Sequence, residues 1–291
     1  MWRDAHVARL PTPRSLDYAR DDVNVMRRVV TFFAVLFVAI IAFAQFLRRT
    51  SMFYPERYPL GNWNVPGAQD EWITTSDGVR LHGWLFRAAD PNAPLLVFFH
   101  GNGGNLSLRG PIGAELARRG ISAFVFDWRG YGRSEGSPSE SKLFKDAEAA
   151  YAFASKLAPP DRIVLYGESL GGPYAAFIAK THKARCIVLE STFPSLRELG
   201  NAIYSPIPLG ITAPFALRTR EWVTDSGLPA LVMHSRNDNV IPYRLGKSLF
   251  DGLRVRKEML TSDAQGHCAI EPDDRDRYYD TLVRFVKENA R

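Results

Sequence analysis

The sequence has few cysteines and no metal-binding motif, and both absences exclude classes of protein. Only two cysteines occur among 291 residues, Cys186 and Cys268, and they lie far apart in the chain. They cannot form a disulfide scaffold or a C-x-x-C zinc site, so we expect two free thiols. No H-E-x-x-H sequence and no cluster of Cys and His suggests a bound metal. The stability of the fold must therefore come from a hydrophobic core.

Little net positive charge lies outside the N-terminal segment. The chain has 37 Lys and Arg against 31 Asp and Glu, a formal net charge of +6. Residues 1–57 contain nine arginines and five acidic residues, a net charge of +4, so the rest of the chain carries only +2. A nucleic-acid-binding domain needs a basic stripe on its folded surface. The near-neutral body therefore argues against nucleic acid as a partner.

A long uncharged segment near the N-terminus predicts a membrane span. Residues 29–47 run without a charge, and a pair of arginines lies on each side of them. At ~1.5 Å per residue a helix of this length covers ~28 Å, close to the ~30 Å hydrocarbon core of a bilayer. A cleaved signal peptide is the alternative, because residues 42–44 have the A-x-A form of a cleavage site. We favour an uncleaved anchor, since residues 1–28 make a long leader for a signal peptide.

The arginines also indicate the orientation of this span. More of them precede it than follow it, which by the positive-inside rule places the N-terminus in the cytoplasm. We therefore expect a single-pass membrane protein with residues 1–28 as a tail, 29–47 as the anchor, 48–70 as a linker and 71–291 as a folded domain on the non-cytoplasmic side. The aromatic residues of the linker either contact lipid headgroups or pack on the domain.

Beyond the linker, short apolar segments alternate with helical patterns. Seven segments are typical of strands: residues 81–86, 95–99, 122–126, 163–166, 186–189, 230–233 and 257–261. Helical patterns occupy residues 106–119, 139–157, 170–181 and 273–287. The alternation predicts an α/β fold with a mostly parallel central sheet flanked by helices. Ligands of such sheets bind at the carboxyl ends of the strands, so the residues after each strand are the candidates for a site.

Two G-x-S-x-G sequences occur, and their contexts separate them. The serine of this motif is an exposed nucleophile when a strand ends at the first glycine and a helix begins at the serine. Ser169 meets both conditions, because the apolar segment 163–166 precedes the motif and a helical pattern follows it. Ser134 meets neither, since residues 128–131 separate it from its strand and Pro138 follows it. We predict Ser169 as the nucleophile and Ser134 as a turn residue.

A serine hydroxyl needs a neighbouring base, and the base needs a carboxylate to orient it. His267 is the last of six histidines and lies in a loop after the last predicted strand. Asp238 follows the preceding strand, which gives the chain order Ser, acid, His that this sheet topology favours. Glu190 and Asp263 are the alternatives for the carboxylate. We predict a triad of Ser169, His267 and Asp238.

The oxyanion of a tetrahedral intermediate needs preorganised N–H donors, and two backbone groups are candidates. One is the N–H of Leu170, directly after the predicted nucleophile. The other lies in the glycine-rich sequence HGNGGN at residues 100–105, where we favour the N–H of Asn102 over that of Gly103. His100 is predicted to be a structural residue of this loop and not a catalyst.

These motifs together resemble the α/β-hydrolase family over roughly residues 70–290. The resemblance rests on HGNGGN, DWRGYGRSEGSPSE at residues 127–140, GESLGG at residues 167–172, Asp238 and His267. The FYPER sequence at residues 53–57, after a single N-terminal span, is similar to the membrane-anchored Bem46-like branch. The resemblance implies the α/β-hydrolase fold, serine-hydrolase chemistry and no cofactor.

The insert at about residues 191–227 predicts a small apolar lid over the site, because it leaves a strand end. Four of its residues are our candidates for contacts with a substrate: Ile203, Tyr204, Ile207 and Leu209. The alternative is that these residues only pack the lid onto the core. We expect cleavage of esters or thioesters with apolar acyl groups, carried by a lipid or a lipidated protein at the membrane. A peptidase or amidase and a non-catalytic binding protein are the alternative functions.

Overall fold

The structure, a computed structural model, describes residues 23–40, 42, 52–203, 217–268 and 270–289. The chain divides into two compact units, Met1–Arg48 and Arg49–Arg291. In the described part of the first unit, helix α1 (Val23–Ile40) is long and apolar enough to cross a membrane. It begins before the predicted span, of which residues 41 and 43–47 lie outside the described residues.

The second unit alternates strands and helices. Its strands are β1 (Tyr54–Pro55), β2 (Gln69–Thr74), β3 (Arg80–Phe86), β4 (Leu95–Phe99), β5 (Gly103–Gly104), β6 (Ser122–Phe126), β7 (Ile163–Glu168), β8 (Cys186–Glu190), β9 (Ala230–Asn237) and β10 (Lys257–Gln265). Its α-helices are α2 (Gly110–Arg118), α3 (Glu140–Leu157), α4 (Gly171–Thr181), α5 (Leu196–Ile203), α6 (Thr219–Ser226), α7 (Tyr243–Gly252), α8 (Ile270–Asp273) and α9 (Arg275–Glu288).

Eight of these strands form one sheet in the order β10-β9-β8-β7-β4-β6-β3-β2. Neighbours are parallel from β10 to β6, whereas β3 is antiparallel to both β6 and β2. Strands β1 and β5 form a separate parallel pair. The predicted α/β fold with a mostly parallel central sheet is confirmed, and each of the seven predicted strands is present.

The central strands divide their side chains between two apolar clusters, one on each face of the sheet. In β4, Leu95, Val97 and Phe99 join one cluster, whereas Leu96 and Phe98 join the other, as the two-residue period of a strand requires. Helices α3, α4 and α6 contribute to the first cluster, and α2 and α9 contribute to the second. The sheet is therefore a rigid base that holds the carboxyl ends of its parallel strands side by side.

Part of the predicted linker belongs to the folded core of the second unit. Val65 is buried, and Trp63 packs beside it against the cluster that includes Trp84. Tyr54 and Tyr58 have exposed side chains. Of the two alternatives for the aromatic residues of the linker, packing on the domain therefore holds for Trp63 and for Phe53, which packs against the other apolar cluster. In the predicted lid, the structure describes α5, α6 and their flanking residues, whereas residues 204–216 lie outside the described part.

Candidate active site

Ser169 lies on a tight turn between β7 and α4. Its φ of +50° falls in the left-handed region, which residues other than glycine seldom adopt. The turn is possible because Gly167 and Gly172 approach each other closely: a Cβ on Gly167 would lie 2.5 Å from the Cα of Gly172. This turn holds the Ser169 hydroxyl at the carboxyl end of the sheet.

His267 and Asp238 form a chain of hydrogen bonds with Ser169. The distance from Ser169 Oγ to His267 Nε2 is 2.8 Å, and that from His267 Nδ1 to Asp238 Oδ2 is also 2.8 Å. The side chain of Asp238 is fully buried, and that of His267 is about one-fifth exposed. In this arrangement Nε2 can accept the serine proton while the Nδ1–H group donates to the carboxylate.

The hydrogen bonds of Asp238 hold it in its ionised form. Its Oδ1 accepts bonds from the backbone N–H groups of Val240 at 2.9 Å and Ile241 at 2.8 Å. Burial raises the pKa of this carboxyl, but the hydrogen bonds from His267 and from the two N–H groups outweigh burial and lower the pKa below its usual value. An ionised Asp238 can orient the imidazole and stabilise its cation.

The two predicted oxyanion donors lie on the turns next to Ser169. Leu170 follows it directly, and the loop after β4 approaches it so closely that a Cβ on Gly101 would lie 3.3 Å from Ser169 Cβ. The Gly101 N–H donates to Glu168 Oε1 at 3.1 Å. Among the described residues, the N–H groups of Asn102 and Leu170 donate no hydrogen bond. Both groups are therefore free to bind a substrate oxygen.

The residues weighed against this triad lie in other environments. Ser134 is buried, and its Oγ donates to the carbonyl of Asp127 at 2.8 Å. Asp263 is exposed and forms an ion pair with Arg236 at 2.9 Å. Neither residue contacts His267 through a described hydrogen bond. Ser134 therefore serves as a turn residue, as its sequence context predicts.

His100 and Glu190, the other residues weighed for the site, make structural contacts. His100 is buried, and its Nδ1 lies 2.7 Å from the Gly101 carbonyl. Glu190 is buried in a cluster with Tyr166, which donates to its Oε2, and with Tyr278, whose hydroxyl lies 2.6 Å from that of Tyr166. Burial raises the pKa of Glu190 to about 8, although the Tyr166 hydrogen bond opposes the shift. Glu190 therefore keeps its proton at neutral pH.

A buried ion pair supports the loop after β4. Arg109 Nη2 lies 2.5 Å from Glu168 Oε1, and Arg109 Nη1 donates to the carbonyl of Gly103 at 2.9 Å. Burial raises the pKa of the Glu168 carboxyl, but the positive charge of Arg109 and its hydrogen bonds outweigh burial and lower the pKa. Sequence reasoning missed this pair. The one signal in the sequence is Glu168 itself, a charged residue directly before Ser169 at the end of a strand that is otherwise apolar.

The predicted substrate contacts fall mostly outside the described residues. Ile203 is the last residue of α5, and its side chain is about half exposed. Tyr204, Ile207 and Leu209 lie in the segment that the structure does not describe. Substrate contact by these four residues therefore stays a prediction. Within the described ranges, no group of three His, Cys, Asp or Glu side chains could hold a metal ion.

A mostly parallel eight-stranded sheet with a serine on the sharp turn after its central strand defines an α/β hydrolase. Residues 90–209 match the Hydrolase_4 family, described as serine aminopeptidase, S33. The chain is 31% identical over 267 residues to the uncharacterized protein Rv2307c of Mycobacterium tuberculosis. The matched region covers 90% of this chain and 95% of that protein. It is also 29% identical over 213 residues to protein bem46 of Schizosaccharomyces pombe, and this match covers 66% of this chain and 70% of that protein.

Solved structures show the same fold. The Pyrococcus furiosus esterase Pf2001 superposes with a TM-score of 0.67 at 19% identity, over 82% of this chain and 98% of that chain. Est1E from Butyrivibrio proteoclasticus superposes with a TM-score of 0.63 at 16% identity, over 76% and 98%. The chain belongs to the α/β-hydrolase family, in its Bem46-like branch, and is a hydrolase.

Proposed function

We propose that this protein is a serine hydrolase in which Ser169, His267 and Asp238 form the catalytic triad. The observation that carries the proposal is the continuous hydrogen-bonded chain from Ser169 Oγ through the imidazole to the buried carboxylate, with 2.8 Å at both contacts. In the first step His267 Nε2 takes the Ser169 proton while Oγ attacks an acyl carbonyl. The N–H groups of Leu170 and Asn102 bind the resulting oxyanion, and each donor lowers the barrier by about 3 kcal/mol.

Collapse of this intermediate forms an acyl-enzyme. His267 gives its proton to the departing alkoxide or thiolate, and the carbon–oxygen or carbon–sulfur bond of the substrate breaks. A water molecule then takes the place of the leaving group, and His267 removes a proton from it as it attacks the acyl carbonyl. The second intermediate collapses with cleavage of the bond between Ser169 Oγ and the acyl carbon, and His267 returns the proton to Oγ. Asp238 stays ionised throughout and stabilises the imidazolium that forms in both halves of the reaction. The products are a carboxylic acid and an alcohol or thiol.

Carboxylic esters or thioesters with apolar acyl groups are the proposed substrates. Support comes from the apolar composition of the lid insert and from the exposed Ile203 at the end of α5. Helix α1 is proposed to anchor the hydrolase in a membrane, with its second unit on the non-cytoplasmic side, where a lipid or a lipidated protein supplies the acyl group. The mass of the mature protein distinguishes this anchor from a cleaved signal sequence, because cleavage would remove the N-terminal residues and lower the mass.

Nitrophenyl esters of increasing chain length test the proposed substrate class. The full-length protein in detergent should show a higher kcat/KM for octanoyl than for acetyl esters, because the acyl chain enters an apolar site. The Ser169→Ala variant should show no turnover of any ester above the uncatalysed rate. A strong preference for acetyl over octanoyl would contradict the apolar acyl site, while the serine-hydrolase mechanism would stand.

Amide hydrolysis is the second candidate function, and the matching family's description as a serine aminopeptidase favours it. The same triad cleaves amides when the leaving amine is protonated by the histidine. Aminoacyl nitroanilides assayed beside the nitrophenyl esters distinguish the two functions. A kcat/KM for an aminoacyl nitroanilide that exceeds that for every ester would establish the peptidase reading in place of the esterase.

A further inference from the structure

The segment that follows the candidate anchor in the chain is paired with the loop that carries Asn102. We name this segment, residues 52–60, the N-terminal strap; it contains the FYPER sequence. Its strand β1 runs parallel to β5, which is part of that loop. The Tyr54 N–H donates to the carbonyl of Asn102 at 3.0 Å, and the Glu56 N–H donates to that of Gly104 at 3.3 Å.

Side chains of the loop add further contacts to the strap. Asn102 Nδ2 donates to the Met52 carbonyl at 3.2 Å. Asn105 Nδ2 donates to the carbonyls of Glu56 at 3.2 Å and Leu60 at 2.9 Å. Asn102 is thus held at its carbonyl and at its side-chain Nδ2, whereas its backbone N–H donates no hydrogen bond to any described residue.

The opposite side of the same loop rests on the ion pair behind the nucleophile. The Gly101 N–H donates to Glu168, and the Gly103 carbonyl accepts a bond from Arg109. Three of the four residues 101–104 are glycines, so the loop has few side chains of its own to fix its conformation. An oxyanion donor accelerates the reaction only when it is held in place before the charge develops.

We propose that the N-terminal strap is a positioning element of the active site: by pairing with residues 102–105 it holds the Asn102 N–H where the oxyanion forms. No described hydrogen bond joins the strap to Ser169, so we infer that it acts through Asn102. This inference rests on the proposed serine-hydrolase function. It gives the FYPER sequence a role that its position after the predicted anchor does not suggest.

Two variants at Tyr54 test the strap with a matched control. Tyr54→Pro removes the N–H that donates to Asn102, whereas Tyr54→Ala keeps that N–H and removes only a side chain that is about half exposed. In the full-length protein, Tyr54→Pro should lower kcat about 10- to 100-fold with KM unchanged, less than the loss of a whole oxyanion donor. Tyr54→Ala should keep kcat within about twofold of wild type.

A second pair of variants changes one atom each. Asn105→Asp keeps the acceptor for the Ser107 N–H but replaces the donor to Glu56 and Leu60 with an oxygen, so that it repels the strap. Asn62→Asp, the control, lies on the exposed chain beyond the strap and keeps its acceptor for the Asn64 N–H. Asn105→Asp should lower kcat with KM unchanged, and Asn62→Asp should not.

The labelling rate of Ser169 by a fluorophosphonate supplies the second readout, because phosphonylation uses the same oxyanion donors. The rate should fall by the same factor as kcat in Tyr54→Pro and Asn105→Asp, and thermal unfolding should show that both are folded. Wild-type kcat and labelling rates in a folded Tyr54→Pro or Asn105→Asp variant would overturn the role of the strap. If Tyr54→Pro does not fold, the kcat and labelling rate of Asn105→Asp decide whether the strap positions Asn102. A wild-type protein that fails to label at Ser169 would instead overturn the proposed function.

Discussion

Glu168 and Glu190 are register partners at the carboxyl ends of β7 and β8, and their pKa values shift in opposite directions. Both are buried, which raises the pKa of a carboxyl, but the charge of Arg109 reverses the shift for Glu168. Glu190 lies beside Tyr166 and keeps its proton to about pH 8. Because one carboxyl is ionised and the other is protonated, two like charges do not lie side by side next to Ser169.

Replacing Glu190 with Gln should make the stability of the fold less dependent on pH. The folded protein keeps this proton up to about pH 8, whereas the unfolded chain releases it near pH 4.5, so raising the pH across this interval stabilises the unfolded state. This one group should lower the free energy of unfolding of the wild type by at most about 4 kcal/mol between pH 5 and 8. Gln still accepts a hydrogen bond from Tyr166 but cannot ionise.

Urea unfolding at pH 5 and pH 8 measures this difference. The Glu190→Gln variant should lose less stability than the wild type over the interval, and its advantage should stop growing above about pH 8. An equal loss in the two proteins would show that Glu190 does not hold a proton in the folded state.

Breaking the Arg109–Glu168 pair from one side should cost more than removing both charges. Glu168→Gln leaves the Arg109 cation buried without a counter-ion, which should lower the free energy of unfolding by about 3–5 kcal/mol. The double variant Arg109→Met with Glu168→Gln should recover part of this loss. Denaturant unfolding of the wild type, both single variants and the double variant measures the coupling between the two side chains.

The exposed pair Lys247–Asp251 is the control for this comparison of single and double variants. Its charges are about half exposed and lie one helical turn apart, so its coupling should be no more than about 0.5 kcal/mol. If the losses of the two single variants at Arg109 and Glu168 simply add in the double variant, the buried pair is not coupled and the account of the loop support fails.

Asp238→Asn should remove most of the catalytic rate without changing the fold. The amide keeps the shape of the side chain but favours the wrong tautomer of His267, and in a comparable triad this change lowers kcat about 10⁴-fold. Asp263→Asn is the control, since Asp263 is exposed and its one ion pair among the described residues is with Arg236. Steady-state kinetics on a nitrophenyl ester compare the two. Similar losses of kcat in both variants would remove Asp238 from the proposed triad.

The arrangement of Ser169, Asp238 and His267 could be predicted from the sequence because each follows a predicted strand. Parallel strands end at one edge of the sheet, so residues far apart in the chain meet there. Strand β2 could not be predicted in this way. Its sequence QDEWIT is polar and mostly exposed at the edge of the sheet, and it is a strand because it pairs with β3, which is a tertiary contact.

The contacts that hold the loop after β4 were not visible in the sequence for two physical reasons. The strap binds largely through backbone N–H and carbonyl groups, which every residue other than proline possesses, so its pairing leaves no pattern of side chains. The contact between Arg109 and Glu168 joins residues 59 positions apart, and no periodicity connects them. Both features depend on how the loop after β4 folds next to Ser169.

Covalent labelling of the full-length protein with a fluorophosphonate probe tests the central claim most directly, because the probe bonds to an activated serine. The account predicts one adduct, on the peptide that contains Ser169, and none in Ser169→Ala. Ser134→Ala, which changes the serine of the other G-x-S-x-G sequence, should still label, because Ser134 is buried and its Oγ donates to the Asp127 carbonyl. Equal labelling of the wild type and Ser169→Ala would contradict the assignment of Ser169 as the nucleophile.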